Sequence, residues 1–366
     1  MATYRAGIIG VNLGREHARS YFDCPDTELV ALADIDPVRL NAIGDKYDVP
    51  ASGRYATHLE MLEKERLDIV SVCTPQTLHA QMTIDAARYA PKAIACEKAM
   101  ATSMGEAEAM LAACDRAKVK LIIGHQGRHF APFQRARELI AEGAIGKPLV
   151  AAVGYAEGGM LNIASHMVDR CLYLLGDPEP LWVIAQVQRE TDRYERSFPC
   201  EDLCMGIACV QGGARIIIDG DIGRHGGLND FTFLLTGDQG TIRLEIEPNG
   251  AHGRPALHLV SATHGSKVLP SDAWPEVDHF LAQTTELVAW LNGGPGHRQD
   301  AHHVIKSHAI LMGMYESART HTLVHLPVRT KRNPLIQMIE DGTLPVRYPG
   351  RYDIRHRTTR PVEPKL

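Results

Sequence analysis

At 366 residues the chain is longer than one ordinary core requires, and it predicts two domains. A net charge of -5 offers no basic field for nucleic acid, and no apolar run approaches the roughly 20 residues that span a bilayer. Residues Met1 to Arg5 run straight into a strand pattern with no room for a signal peptide, so the expectation is a cytoplasmic protein.

The first third alternates short apolar runs with helical patterns, which predicts successive βαβ units and a parallel sheet. Strands are expected at Arg5 to Gly10, Leu29 to Asp34, Leu67 to Cys73, Ala93 to Glu97 and Val119 to Gly124. Thr57 with Glu60 and Ser103 with Glu106 have the spacing of helix capping boxes. Right-handed crossovers then wind these units into one doubly wound sheet over residues 1–124.

Beyond Gly124 the texture changes. A helix is expected from Pro132 to Glu142, a strand from Lys147 to Glu157, and a second helix from about Met160 to Leu175, stopped by Gly176-Asp177-Pro178. Strands follow at Leu181 to Gln188, Leu203 to Val210, Ala214 to Asp219, Phe231 to Thr236 and Thr241 to Ile246, with a hairpin turn at residues 237–240. No helices separate them, so an antiparallel sheet is expected. Helical texture returns from Glu276 to Leu291 and from Asp300 to Arg319. Residues 125–330 thus form a second α/β domain, and 331–366, rich in Pro and Arg, an arm.

Five cysteines (Cys73, Cys96, Cys114, Cys171 and Cys209) lie in apolar runs and read as reduced core residues. Cys200, Cys204 and Cys209 lack the paired close spacing of a zinc site. His302, His303 and His308 have no completing carboxylate or Cys pattern and read as solvated helix residues. No metal is expected.

The glycine-containing turn Gly10-Val11-Asn12-Leu13-Gly14 follows the first strand, where backbone N–H groups can approach a pyrophosphate. Asn12 stands where a second glycine is usual, and Gly14 comes one residue early, so the turn reads as a shortened phosphate loop or a plain strand–helix turn. Asp34 ends the second strand at about the roughly 20-residue spacing of an acid that binds the adenosine ribose. A carboxylate there favours NAD over NADP, with Arg39 the one nearby residue arguing the other way; the alternative is a helix N-cap. Glu97-Lys98 ends the fourth strand, where a cation can polarise a substrate oxygen or simply pair on the surface. Asn162 and His166 are spaced to share a helix face. His166 suits proton transfer near neutral pH, or is a satisfied helix histidine. Asp169 and Arg170 read as surface or helix-pair residues.

Taken in order, Gly7-Ile8-Ile9-Gly10, residues 33–37, Cys73-Thr74-Pro75 with His79, Cys96-Glu97-Lys98, residues 124–132 with Arg128, residues 143–148 and His166 through Gly176 resemble the glucose–fructose oxidoreductase/inositol dehydrogenase/MocA family. The resemblance covers almost the whole chain. It implies an N-terminal Rossmann domain and a C-terminal α/β domain with an open, mainly antiparallel sheet. It also implies NAD-dependent hydride transfer at a hydroxyl carbon of a sugar or cyclitol. Lys98 and His166 inherit the catalytic positions, with Asn162 where relatives carry Asp and Ala99 where the motif has Pro. Gly10, Asn12, Leu13, Gly14, Asp34, Thr74, Pro75, His79, Glu97 and Lys98 fall at cofactor-binding positions. Arg128, Tyr155, Asn162 and His166 fall at substrate-binding positions. The family's sheet face implies a homodimer or homotetramer.

Asn162 cannot carry the charge of the family's Asp, and this keeps a second reading open. Some family members cleave glycosides, N-acetylgalactosaminides and sulfoquinovosides among them, through transient oxidation at C3, elimination, water addition and re-reduction. The loop Gly223-Arg224-His225-Gly226-Gly227 could hold an anionic group of such a substrate.

Overall fold

The computed structural model describes residues 3–154, 159–220, 232–246, 253–351 and 353. It divides into two compact units, one of Met1–His129 with Val277–Ile305, the other of Phe130–Glu276 with Lys306–Leu366.

The first unit begins β1 (Tyr4–Ile9), α1 (Val11–Asp23), β2 (Thr27–Ala33), α2 (Pro37–Lys46), β3 (Arg54–Tyr55), α3 (His58–Lys64), β4 (Ile69–Val72), α4 (His79–Ala87), β5 (Ala93–Cys96), α5 (Met104–Ala117) and β6 (Lys120–Ile123). Its strands lie in the order β3-β2-β1-β4-β5-β6 and every pair is parallel. Alternate residues feed two apolar layers, as a parallel sheet covered on both faces requires. Ile9, Val70 and Ile94 enter one, and Ile8, Ile69 and Ala95 the other. The expected caps form: Thr57 accepts from the Glu60 N–H and Ser103 from the Glu106 N–H, each at 3.3 Å. Such caps contribute about 1 kcal/mol each. Asp34 is not the cap of α2; Asp36 is, accepting from the N–H groups of Val38 and Arg39.

The second unit opens with α6 (Ala131–Ala141) and β7 (Pro148–Gly154). The single helix expected from Met160 is two pieces, a π-helical turn Gly159–Ala164 and α7 (Ser165–Leu174). Then come β8 (Pro180–Gln188), β9 (Tyr194–Glu195), β10 (Phe198–Pro199), β11 (Leu203–Val210), β12 (Arg215–Asp219), β13 (Phe233–Gly237), β14 (Gly240–Glu245), β15 (Ala256–Ser261) and β16 (Gly265–Leu269). Helix α8 (His279–Leu291) belongs to the first unit; α9 (Ala301–Thr320), β17 (Val324–His325) and α10 (Pro334–Glu340) follow. The large sheet runs β16-β15-β14-β13-β7-β12-β11-β8-β17, antiparallel throughout except for the β7–β12 pair. Helices α6 and α7 pack on one face. Across the other, the register aligns Ile184, Ile207, Ile217, Ala152 and Leu234 in one row. Ile184, Ile217 and Leu234 of that row are exposed. Beyond α10, Tyr348 and Asp353 bridge to Thr191 and Tyr194 within the same unit.

No helix among the described residues is long and apolar enough to cross a membrane.

Candidate functional site

In the first unit, strand order reverses between β1 and β4, which opens a crevice at their carboxyl ends. Gly10 sits there with φ of 86°, and α1 starts at the next residue. A Cβ at Gly10 would meet Thr74 Cγ2 at 2.9 Å and the Cys73 carbonyl oxygen at 3.0 Å, so only glycine keeps this cradle open. The shortened spacing has a plain cause: Asn12, Leu13 and Gly14 already belong to the first turn of α1. A Cβ at Gly14 would lie 2.7 Å from Ile8 Cγ2, so this glycine permits close helix–strand packing. Asn12 is exposed and Leu13 half-buried.

Asp34 follows β2 at the same edge. One carboxylate oxygen accepts from the Val11 N–H at 2.8 Å, placing negative charge on the α1 N-terminus, and the other accepts from the Asp36 N–H at 2.8 Å. These two bonds use two of the carboxylate's four lone-pair sites. Arg39 approaches Asp34 at 3.8 Å but is held at 3.0 Å by Asp36. These residues fit a dinucleotide: an open backbone cradle at a helix N-terminus beside a pre-oriented carboxylate.

Thr74 is half-buried and Pro75 exposed after β4. His79 is fully buried; its ring nitrogens face the Ala99 and Thr74 carbonyl oxygens at 2.7 and 2.9 Å. It ties the loop after β4 to the loop after β5. Glu97 is likewise held by protein groups. It is buried, and its Oε1 meets His17 Nε2 at 3.0 Å and accepts from Gln126 Nε2 at 2.8 Å. Lys98 beside it is half-buried, and the Lys98–Ala99 peptide is cis. Arg128, expected at substrate, is fully buried and donates to the Arg298 carbonyl oxygen at 2.8 Å.

In the second unit, Asn162 lies on the π-helical turn and His166 on the first turn of α7, both half-buried. A π-helical turn is rare, and such turns concentrate at functional positions. The Ser165 hydroxyl donates to the Asn162 carbonyl oxygen at 3.0 Å. Glu201, which the sequence reading missed, fixes the start of this turn: it accepts from the Met160 N–H and, at 2.6 Å, from the Tyr315 hydroxyl. Burial pushes the Glu201 carboxyl up, against those hydrogen bonds. Tyr155 and the loop 223–227 lie outside the described residues.

Asp169 and Arg170 are not surface residues; both are buried. The Arg170 guanidinium lies 5.1 Å from the ring centres of Phe130 and Phe133 and 5.9 Å from that of Phe233. Apolar stem and cation–π contact explain its place inside, and burial lowers it to about 10. The histidines of α9 are dispersed: His302 pairs with Asp300 at 2.9 Å and Asp115 at 3.3 Å, His303 is exposed and His308 buried. Another cluster, His129, Glu286 and His297, brings its ligand atoms within 4.8 Å. Within it His297 contacts the Gln283 carbonyl oxygen and accepts from the Gln299 N–H, while both Glu286 oxygens accept from Arg298.

A parallel sheet with this crevice, cradle and acid defines an NAD-binding Rossmann domain joined to an α/β domain. The chain belongs to the Gfo/Idh/MocA oxidoreductase family: residues 4–125 match its NAD-binding Rossmann fold and 137–326 its C-terminal alpha/beta domain. It is 24% identical to D-apiose dehydrogenase of Paraburkholderia graminis, over 93% of this chain and 94% of that one. Inositol 2-dehydrogenase of Rhizobium meliloti is 27% identical, over 76% of this chain and 88% of that one. Among solved structures, an Agrobacterium radiobacter oxidoreductase in complex with NAD+, L-tartaric acid and magnesium matches in fold. Its TM-score is 0.75 at 21% identity, covering 88% of this chain and 98% of that one.

Proposed function

We propose that this protein is an NAD-dependent dehydrogenase of a sugar or cyclitol. The observation that carries the reading is the Gly10 cradle with Asp34 at its edge, within a family of oxidoreductases. The apiose and inositol relatives support the substrate class. Gly10 and the first N–H groups of α1 hold the pyrophosphate, and Asp34 the ribose hydroxyls. Bound NAD supplies the acceptor for the hydride of the carbinol carbon. His166 takes the hydroxyl proton, and Lys98 stabilises negative charge developing on that oxygen. Asn162 orients through hydrogen bonds without adding charge, which leaves His166 a weaker base than a carboxylate neighbour would make it.

The apolar row on the sheet of the second unit supports a two-fold homo-oligomer, since exposed patches of this kind mark contact surfaces. The comparisons lend the glycosidase alternative no support. The test is incubation with NAD and a panel of sugars, polyols and nitrophenyl glycosides, reading NADH absorbance and phenol release together. NADH accumulation with a sugar or cyclitol is expected; phenol release without NADH would overturn the reading.

A further inference from the structure

A buried polar chain in the first unit leads to Glu97. The Tyr21 hydroxyl meets Ser71 Oγ at 2.7 Å, Ser71 Oγ meets His17 Nδ1 at 2.9 Å, and His17 Nε2 meets Glu97 Oε1 at 3.0 Å. His17, Ser71, Tyr21 and Glu97 are all 3% exposed or less. Sequence spacing hides the chain, because its members come from α1, β4 and the end of β5.

An ionised Glu97 only accepts, so His17 donates to it from Nε2. The other ring nitrogen meets Ser71 Oγ, which in turn meets the Tyr21 hydroxyl, and burial pushes that phenol up. Gln126 supplies the second donor to Oε1, and the Lys98 backbone N–H approaches Oε2 at 3.4 Å. Among the described residues, the titratable groups coupled to Glu97 are His17, Lys98 and the thiols of Cys73 and Cys96. The Phe280 ring, from α8, closes the other side of His17 with ring centres 5.3 Å apart. Burial alone would push Glu97 up. The His17 hydrogen bond and charge, then Lys98, then Gln126 outweigh it and hold the carboxyl below its usual range.

We propose that His17, set by Ser71 and Tyr21, is a positioning residue that holds Glu97 as the fixed counter-charge of Lys98. This rests on the reading that Lys98 serves the reaction, but its physical content is a property of the protein alone. The Glu97 carboxylate, fixed by His17 and Gln126 and turned toward the Lys98 backbone N–H, favours the charged form of the adjoining ammonium.

The experiment is competitive acetylation of Lys98 against pH, followed by peptide mass spectrometry, on the full chain. Variants are first checked for folding by circular dichroism and for NAD binding. In Glu97→Gln, the pH at which Lys98 becomes reactive should fall by roughly one to three units. His17→Leu should also move it, whereas His17→Gln, which keeps a donor, should move it less. The double variant His17→Leu/Glu97→Gln should match Glu97→Gln alone, because His17 acts through the carboxylate. Should His17→Leu fail to fold, Ser71→Ala in the parent and in Glu97→Gln makes the same comparison. A Lys98 midpoint unmoved by Glu97→Gln would overturn the proposal. So would a His17→Leu shift of equal size in the double variant, which would show that His17 acts on Lys98 by another route. A protein that shows these shifts yet reduces no NAD with any sugar or cyclitol keeps the counter-charge and loses the proposed function.

Discussion

Glu97 and Glu201 are enclosed carboxylates, one in each unit, and they are held in opposite senses. Glu97 receives His17 and Gln126 and faces the charge of Lys98, so its carboxyl lies below the ordinary value of 4.5. Glu201 receives Tyr315 and backbone N–H groups, and burial keeps its carboxyl above that value. The difference separates two uses of a buried acid. One maintains a charge at the end of a strand, and the other pins an irregular turn through hydrogen bonds that a neutral carboxyl can partly keep.

The largest effect on this contrast should come from Glu201→Ala. It strands the Met160 N–H and the Tyr315 hydroxyl, at about 1–3 kcal/mol for each buried donor. Urea unfolding should show the loss, and turnover should fall if the π-helical turn no longer holds Asn162 and His166; unchanged stability would mean that Glu201 does not fix the turn. Stability against pH sharpens the comparison through its sign. The raised Glu201 carboxyl contributes stability that is complete below about 4.5 and is lost as pH rises through its folded value. The lowered Glu97 carboxyl contributes stability present above about 4.5 and lost as pH falls through its folded value. The deficit of Glu97→Gln should therefore shrink on acidification, and that of Glu201→Gln should shrink as pH rises. Parallel profiles would show that the two acids do not differ as described.

A smaller effect is expected from Gly10→Ala. A Cβ at φ of 86° and 2.9 Å from Thr74 Cγ2 adds strain of about 1–3 kcal/mol. NAD affinity should fall in calorimetry along with thermal stability; parent-like affinity would place the pyrophosphate elsewhere. The smallest change is in cofactor choice. Asp34→Ala should narrow the preference for NAD over NADP without unfolding the sheet, and tighter NADP binding by the parent itself would reject the role given to Asp34.

The first unit was legible because five of its six strands are short apolar runs and the helices return the chain to the same sheet; the two-residue β3 went unread. The second was less so. Strands β15 and β16 went unread, and the return of residues 277–305 to the first unit leaves no mark in local pattern. The π-helical turn carries the same spacing of apolar residues as the helix expected there. Arg170 was placed outside because charge usually is, and its three phenylalanine partners come from distant segments. His17, Ser71 and Glu97 are far apart in sequence and close only in the fold. Of the residues expected at cofactor and substrate, Glu97, His79 and Arg128 are buried and bond protein groups that lie far off in sequence.

Lys98 and His166 are proposed as the chemical groups of a hydride transfer. Its most direct measurement is NADH formation by Lys98→Ala, His166→Ala and the double variant, at saturating NAD and with the substrate found in the panel. Loss of one proton-transfer group costs roughly two to four orders of magnitude, so each single variant should fall by about that factor while still folding and binding NAD. A double variant that makes NADH at the parent rate would contradict the account.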